Sequence, residues 1–135
     1  RTSGLKESMR YTPKQIEKYR RQKYIATIEK ISKNLFRMFR NRDTNAESFR
    51  KKLDELVEKL DSLEKTRLES GYLNESEKYI RSIYSICTEE KFCDSILDEM
   101  REEEMSKLNR LQKMKNRNSY KKEKYMGALR RDGWE

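Results

Sequence analysis

Histidine is absent from the 135 residues, and cysteine, proline and glycine are scarce. Without histidine, the chain lacks the commonest general base and the ligand of most zinc sites. Two cysteines are too few for a thiolate zinc cage, and four scattered glycines form no phosphate-binding loop. One proline and four glycines also leave few residues for the tight turns of a β-rich fold. We therefore expect an all-α protein that is not an enzyme and that uses no metal and no cofactor.

Long apolar runs are also missing from the sequence. No stretch approaches the ~18 residues that a membrane-spanning helix needs, and no signal peptide is visible. These observations predict no membrane partner. The first residue is Arg1, which suggests a fragment of a longer protein.

The two cysteines, Cys87 and Cys93, lie six positions apart around a predicted helix boundary. A disulfide between them is conceivable at this spacing. A pair of buried, inert thiols in a reduced intracellular protein is the favoured interpretation.

Charge is distributed along the chain in blocks. Residues 1–42 hold 13 Lys and Arg against 3 Asp and Glu, residues 43–104 hold 10 against 18, and residues 105–135 hold 10 against 3. Of the 25 Leu, Ile, Val and Phe residues, 20 fall between residues 24 and 100. The pattern predicts a basic N-terminal arm (1–23) that continues into the first helix. A helical bundle (24–100) and a charged helical extension with a basic tail (101–135) follow.

Helix-start signals divide the chain into four helical segments. Thr12 precedes a proline at the first helical position, and Thr44 and Asn74 each open a stretch with Glu three residues later. Gly71 is positioned to end the second helix in a left-handed conformation, and Thr88 can cap the fourth. These signals predict a compact bundle of four to five helices with basic arms at both ends.

Apolar residues recur within each segment at spacings of three and four, which is typical of helices that bury one face. In the first helix, which can run to about Arg40, these residues are Tyr24, Ile28, Ile31, Leu35 and Met38, widened by Ile25, Phe36 and Phe39. In the second they are Phe49, Leu53, Leu56, Leu60 and Leu63, with Val57 alongside. In the third they are Ile80, Ile83, Tyr84 and Cys87.

The basic arms carry the clearest functional signal. Lys and Arg neutralise phosphates, and four of the eight tyrosines (Tyr11, Tyr19, Tyr120 and Tyr125) lie in the arms, where their rings can stack on bases. The candidate nucleic-acid-binding residues are Lys14, Lys18, Arg20, Arg21, Lys23, Lys113, Lys115, Arg117, Lys121, Lys122 and Lys124. One alternative is pairing of this charge with the acidic centre (43–104) or with an acidic protein. The other, contact with a membrane surface, is disfavoured because the basic face lacks an opposing stripe of Leu, Phe and Trp.

Two further groups of residues have possible roles. The run Glu102–Glu104 could join a metal or acid/base site, but three successive carboxylates on one helix are more typical of a solvated face. Phe92, Met100 and Met105 are candidates for binding the apolar motif of a partner protein, because methionine adapts to varied surfaces.

The run "FRKKLDELVEKLDSLEKTRLESGYLNESEKYIRSIYSICTEEKFCDSIL", Phe49 to Leu97, resembles the N-terminal domains of transcription factor TFIIS, including the integrase-binding domain of LEDGF. The shared element is a Leu-rich helix, a polar loop and a shorter Ile-rich helix. The resemblance implies a helical bundle that docks short disordered motifs of chromatin and transcription-elongation factors. We thus expect a nuclear adaptor whose basic arms contact DNA or RNA backbones. The alternative is an RNA-binding or RNP-assembly module whose arms are the main site.

Overall fold

The structure, a computed structural model, describes residues 13–116, of which 82% are helical and none is in a β-strand. The helices are α1 (Pro13–Arg40), α2 (Ala46–Ser62), α3 (Gly71–Cys87) and α4 (Asp94–Lys113), followed by a 3₁₀ turn (Met114–Asn116). The predicted all-α bundle is confirmed.

Helix α1 organises the bundle, because it contacts each of the other three helices. Its predicted stripe is buried, and the stripes of α2 and α3 pack against it in one core. Three phenylalanines tie α1, α2 and the loop before α4 together. The rings of Phe39 and Phe49 lie 5.2 Å apart between centroids, and those of Phe49 and Phe92 lie 5.8 Å apart. Burial of these apolar faces is the main source of helix stability in a bundle of this size.

Helix α1 begins at Pro13 and ends at Arg40 as predicted, whereas the predicted starts of α2 and α3 are displaced by a few residues. Helix α2 is capped by Asn45, whose side chain accepts a hydrogen bond from the Ser48 amide, and not by Thr44. Helix α3 begins at Gly71, and no glycine within residues 13–116 has a positive φ, so the predicted role of Gly71 as a helix terminator is wrong. The N-cap of α3 is Ser70, whose hydroxyl accepts a hydrogen bond from the Leu73 amide and so satisfies a donor of the first turn.

Two further predictions of helix ends differ from the structure. Thr88 terminates α3 instead of opening α4, because its hydroxyl donates to the Tyr84 carbonyl one turn back. Cys93 takes the N-cap position of α4. Asn74, predicted to open a helix, lies inside the first turns of α3 and donates to the Leu68 carbonyl.

The packed part of α4 extends beyond residue 100, where the bundle was predicted to end. Arg101, Glu104 and Leu108 are buried between α4 and the rest of the bundle. Glu102 and Glu103 are exposed as expected, but the prediction of a solvated face is wrong for Glu104. Glu103 pairs with Lys107 one turn later, with 3.9 Å between Oε2 and Nζ.

Arg101 joins the end of α1 to α4. Its guanidinium is 1% exposed and donates to the carbonyls of Met38, Phe39, Asn41 and Thr44 at 2.7–3.0 Å. The Met38 and Phe39 carbonyls belong to the last turn of α1 and have no amide partner within the helix, so these bonds satisfy buried groups that would otherwise lack a donor. The Asn41 carbonyl also accepts from the Thr44 amide. One side chain therefore closes α1 and holds the loop that leads into α2.

The two cysteines are free thiols in different environments. Cys87 is fully buried, and burial raises the pKa of its thiol to about 11. Cys93 is exposed, so the prediction of two buried thiols is correct for Cys87 only.

We expect Leu56→Ala and Ile83→Ala each to lower the free energy of unfolding by ~2–5 kcal/mol, because each leaves a cavity in the core. The two side chains are 5% and 2% exposed. Urea unfolding monitored by circular dichroism measures the loss. Leu63→Ala is the control, since Leu63 is only half-buried at the end of α2 and should lose less. A loss below about 1 kcal/mol at both core positions would contradict this packing.

Candidate nucleic-acid interface

The face of α1 opposite its apolar stripe is basic along most of the helix. Lys23, Lys30, Lys33, Arg37 and Arg40 follow one another at spacings of 7, 3, 4 and 3, and all five are exposed. We call these five residues the outer face. Because α1 has 28 residues, it is about 42 Å long, and the outer face covers the greater part of that length.

The outer face is little neutralised by its surroundings. Within residues 13–116, none of its five cations forms an ion pair. Helix α1 has only two acidic residues, Glu17 and Glu29. Glu29 is withdrawn from solvent, with its side chain 13% exposed and its Oε2 3.9 Å from Lys115 Nζ. The result is a positive strip suited to a polyanion.

Of the five outer-face residues, only Lys23 was predicted as a site residue from the sequence. The other four lie in the predicted bundle (24–100) and not in the basic arms, where the charge pattern had placed the site. The helical spacing in the sequence does indicate them, because these residues fall on the side of α1 opposite Tyr24, Ile28, Ile31, Leu35 and Met38. A helical projection of residues 13–40 would have identified them.

The residues predicted at the start of α1 lie on a different side of the helix. Lys14 is exposed, whereas Lys18 and Arg21 are half-buried, and the buried Nε of Arg21 has no hydrogen-bond partner. The spacing of these three continues directly to Ile25 and Ile28, which are fully buried. This row therefore leads into the bundle core, and the outer face offers the more accessible charge.

Arg20 pairs within the chain. Its Nη1 lies 2.8 Å from Glu64 Oε1, and both side chains are more than half exposed. An exposed pair of this kind contributes about 0–1 kcal/mol. At this residue the geometry agrees with pairing to the acidic centre.

The predicted distal residues are only partly described. Lys113 is exposed at the end of α4, and Lys115 is half-buried against the bundle, with its Nζ 5.9 Å from the centroid of the Tyr72 ring. Arg117, Lys121, Lys122 and Lys124 lie outside the described residues, as do Tyr11, Tyr120 and Tyr125.

A cleft of about 300 Å³ opens beside the outer face, between α1, the first turns of α3 and the end of α4. Three outer-face residues, Lys33, Arg37 and Arg40, line it together with Lys115. Its apolar lining includes Phe36, Tyr72, Leu108 and Leu111. The hydroxyls of Ser32 and Ser76 are buried in its lining and have no hydrogen-bond partner among residues 13–116. No pattern in the sequence predicted this cleft.

The three residues predicted to bind a protein partner differ in exposure. Phe92 is 5% exposed and packs on Phe49, with Arg50 over its ring at 5.6 Å. Met100 and Met105 are half-buried and pack against the core. The accessible part of this predicted surface therefore consists of the two methionines.

Two tyrosines are held by carboxylates inside the bundle. Tyr24 donates to Glu77 at 2.7 Å, and Tyr79 donates to Glu104 at 2.8 Å. Burial, reinforced in each case by the carboxylate partner, raises the pKa of both phenols well above the ordinary value of 10. Both hydroxyls therefore act as hydrogen-bond donors that connect helices, Tyr24 from α1 to α3 and Tyr79 from α3 to α4.

Residues 13–116 contain no cluster of His, Cys, Asp or Glu side chains that could hold a metal ion. No helix in this range is long and apolar enough to cross a membrane. The chain matches no protein-family model, no curated protein and no solved structure.

Proposed function

We propose that the protein is a non-enzymatic helical adaptor that binds nucleic acid through the outer face of α1. The observation that carries the proposal is the row of five exposed cations that form no ion pair within residues 13–116. Phosphate groups along a nucleic-acid strand are spaced regularly, and a row of Lys and Arg on a rigid helix can contact several of them together. Each contact releases a condensed counterion, which supplies affinity without dependence on sequence.

The chemistry of the outer face supports binding without base-specific readout. Base edges are read by residues such as Asn, Gln and paired Arg that enter a groove in a defined arrangement. The outer face instead presents isolated cations over about five helical turns. Such a surface positions a protein on a nucleic acid and leaves recognition to another part of the molecule or to a partner.

We place this adaptor in nuclear chromatin or transcription machinery, on the basis of the TFIIS-type helical pattern of Phe49–Leu97. In this proposal a protein motif docks on the bundle near Met100 and Met105 while the outer face holds DNA or RNA. The second candidate is an RNA-binding or RNP-assembly module. The cleft beside the outer face favours it, because cavities lined by aromatic groups beside a basic strip suit unpaired nucleotides.

The salt dependence of binding tests the outer face. We expect the variant Lys23→Ala/Lys30→Ala/Arg37→Ala to flatten the slope of log affinity against log salt on duplex DNA by about 2–3 units, at ~0.9 for each lost phosphate contact. Preference among sequences should not change. Gel-shift or anisotropy titrations at several salt concentrations measure the slope.

The control Lys51→Ala/Lys52→Ala/Lys59→Ala removes the same charge from exposed positions of α2. It should leave the slope close to that of the wild type. The triple variant Lys14→Ala/Lys18→Ala/Arg21→Ala tests the row predicted from the sequence. Equal slopes for wild type and the outer-face variant, or no binding of the wild type at ~100 mM salt, would refute the proposal.

A further inference from the structure

We infer that the cleft beside the outer face receives one unpaired nucleotide, so that the protein prefers single-stranded nucleic acid to duplex. The inference rests on the proposed function, because the strand that supplies the nucleotide is the one bound along the outer face. The outer face and the cleft are continuous, because Lys33, Arg37 and Arg40 belong to the outer face and also line the cleft.

The interior of the cleft is built for a group that forms hydrogen bonds. Ser76 is 1% exposed, and its hydroxyl has no partner within the described structure. The hydroxyl of Ser32, across the cleft on α1, is likewise buried and without a partner. A buried polar group without a partner is unfavourable, and two in one cavity indicate a ligand that supplies donors and acceptors. A nucleobase edge offers both.

The charges in the cleft favour a base over a bare phosphate inside it. Glu29 lines the cavity with a carboxylate, which would repel an anion that entered fully but can accept a hydrogen bond from a base N–H group. Four cations line the cleft, and three of them, Lys33, Arg37 and Arg40, are exposed. Arg40 lies 5.8 Å from the centroid of the Phe36 ring, and Lys115 lies 5.9 Å from that of Tyr72. This arrangement places phosphate at the rim and a flat, apolar ring against the walls.

The size of the cleft agrees with a single base. Its volume of about 300 Å³ is at the lower end of the range for small-molecule sites. A paired base cannot enter, because it is stacked and its edge is already bonded to its complement. The preference for an unpaired strand follows from the geometry of the cavity.

Oligonucleotides without bases distinguish the contribution of the cleft to affinity from that of the outer face. A 12-nucleotide single strand of mixed sequence, the same strand with every base replaced by an abasic residue, and a 12-base-pair duplex are titrated by fluorescence anisotropy. The two single strands carry the same phosphates. We expect the base-bearing strand to bind about tenfold more tightly than the abasic strand, as for one stacked base, and more tightly than the duplex.

The variant Ser32→Val/Ser76→Val removes both hydroxyls and should bring the two single strands to nearly equal affinity while the salt slope remains. The control Ser85→Val/Ser95→Val makes the same change at exposed helical positions and should keep the difference. Circular dichroism checks that both variants fold. If Ser32→Val/Ser76→Val does not fold, the affinities of the wild type for the intact and abasic strands decide whether the cleft binds a base. Equal affinity of wild type for intact and abasic strands, or tighter binding of the duplex, overturns the inference and leaves the proposed function standing. Absence of binding to all three at ~100 mM salt overturns both.

Discussion

Replacing Arg101 by methionine should lower the free energy of unfolding by about 3–5 kcal/mol, one of the largest effects of any single substitution in this protein. The guanidinium is the donor for four backbone carbonyls at the junction of α1 and α2. Methionine fills much of the same space but donates nothing, so the Met38, Phe39 and Thr44 carbonyls lose this donor, whereas the Asn41 carbonyl keeps its bond from the Thr44 amide. The bonds to Met38 and Phe39 are buried, where water does not readily replace the lost donor. Each unsatisfied group costs ~1–3 kcal/mol, partly offset because a charge no longer has to be buried.

Urea unfolding of wild type, Arg101→Met and the control Arg110→Met measures this effect. Arg110 is exposed on the same helix, and its replacement should change stability by less than about 0.5 kcal/mol. Arg101→Lys keeps the charge but cannot span four acceptors with one ammonium group, so we expect an intermediate loss. A loss below about 1 kcal/mol for Arg101→Met would show that the junction is held by apolar packing instead.

Raising the pH from 8 to 11 should destabilise the wild type by about 3 kcal/mol more than it destabilises Tyr24→Phe/Tyr79→Phe. Both phenols have a pKa raised above the ordinary value of 10, so the folded state keeps two protons that the unfolded chain releases. The stabilisation is fully present below pH ~10 and is lost as the pH rises from there toward the folded-state values. By pH 11 the loss is about 1.4 kcal/mol for each tyrosine.

Denaturant unfolding at pH 8, 9, 10 and 11 checks the pH dependence, and the difference between wild type and double variant removes the contribution of lysine titration. Tyr19→Phe is the matched control, because Tyr19 is 63% exposed and forms no buried pair. It should follow the wild-type curve. Parallel curves for wild type and double variant would mean that burial, with the hydrogen bonds to Glu77 and Glu104, does not hold the phenols protonated.

The same two substitutions connect stability to the proposed site. Tyr24 and Glu77 join α1 to α3, and Tyr79 and Glu104 join α3 to α4. These three helices form the walls of the cleft. Loss of the cross-links at high pH should therefore loosen the cleft together with the bundle, whereas the outer face, which lies on α1 alone, depends less on them.

Some of the fold and of the candidate interface could be predicted from the sequence and some could not. Periodicity placed Ile28, Ile31 and Leu35 correctly in the core, because spacing along a helix is a local property. It follows that the opposite side of α1 is exposed, so Lys30 and Lys33 could have been predicted as a basic face from the sequence. The helix starts were less accurate, because several nearby Ser, Thr and Asn residues can each serve as a cap and packing selects among them.

The sequence alone determined that this protein is helical, that four amphipathic segments must pack together and that basic charge is concentrated on the first of them. Tertiary structure alone decided that Arg101 and Glu104 are buried, and that Ser32 and Ser76 share a cavity. Arg101 bonds to residues about sixty positions earlier, and Ser32 is separated from Ser76 by more than a helix and a loop. The physical reason is that burial of a polar side chain depends on which distant groups surround it, and the local pattern of residues carries no record of those neighbours.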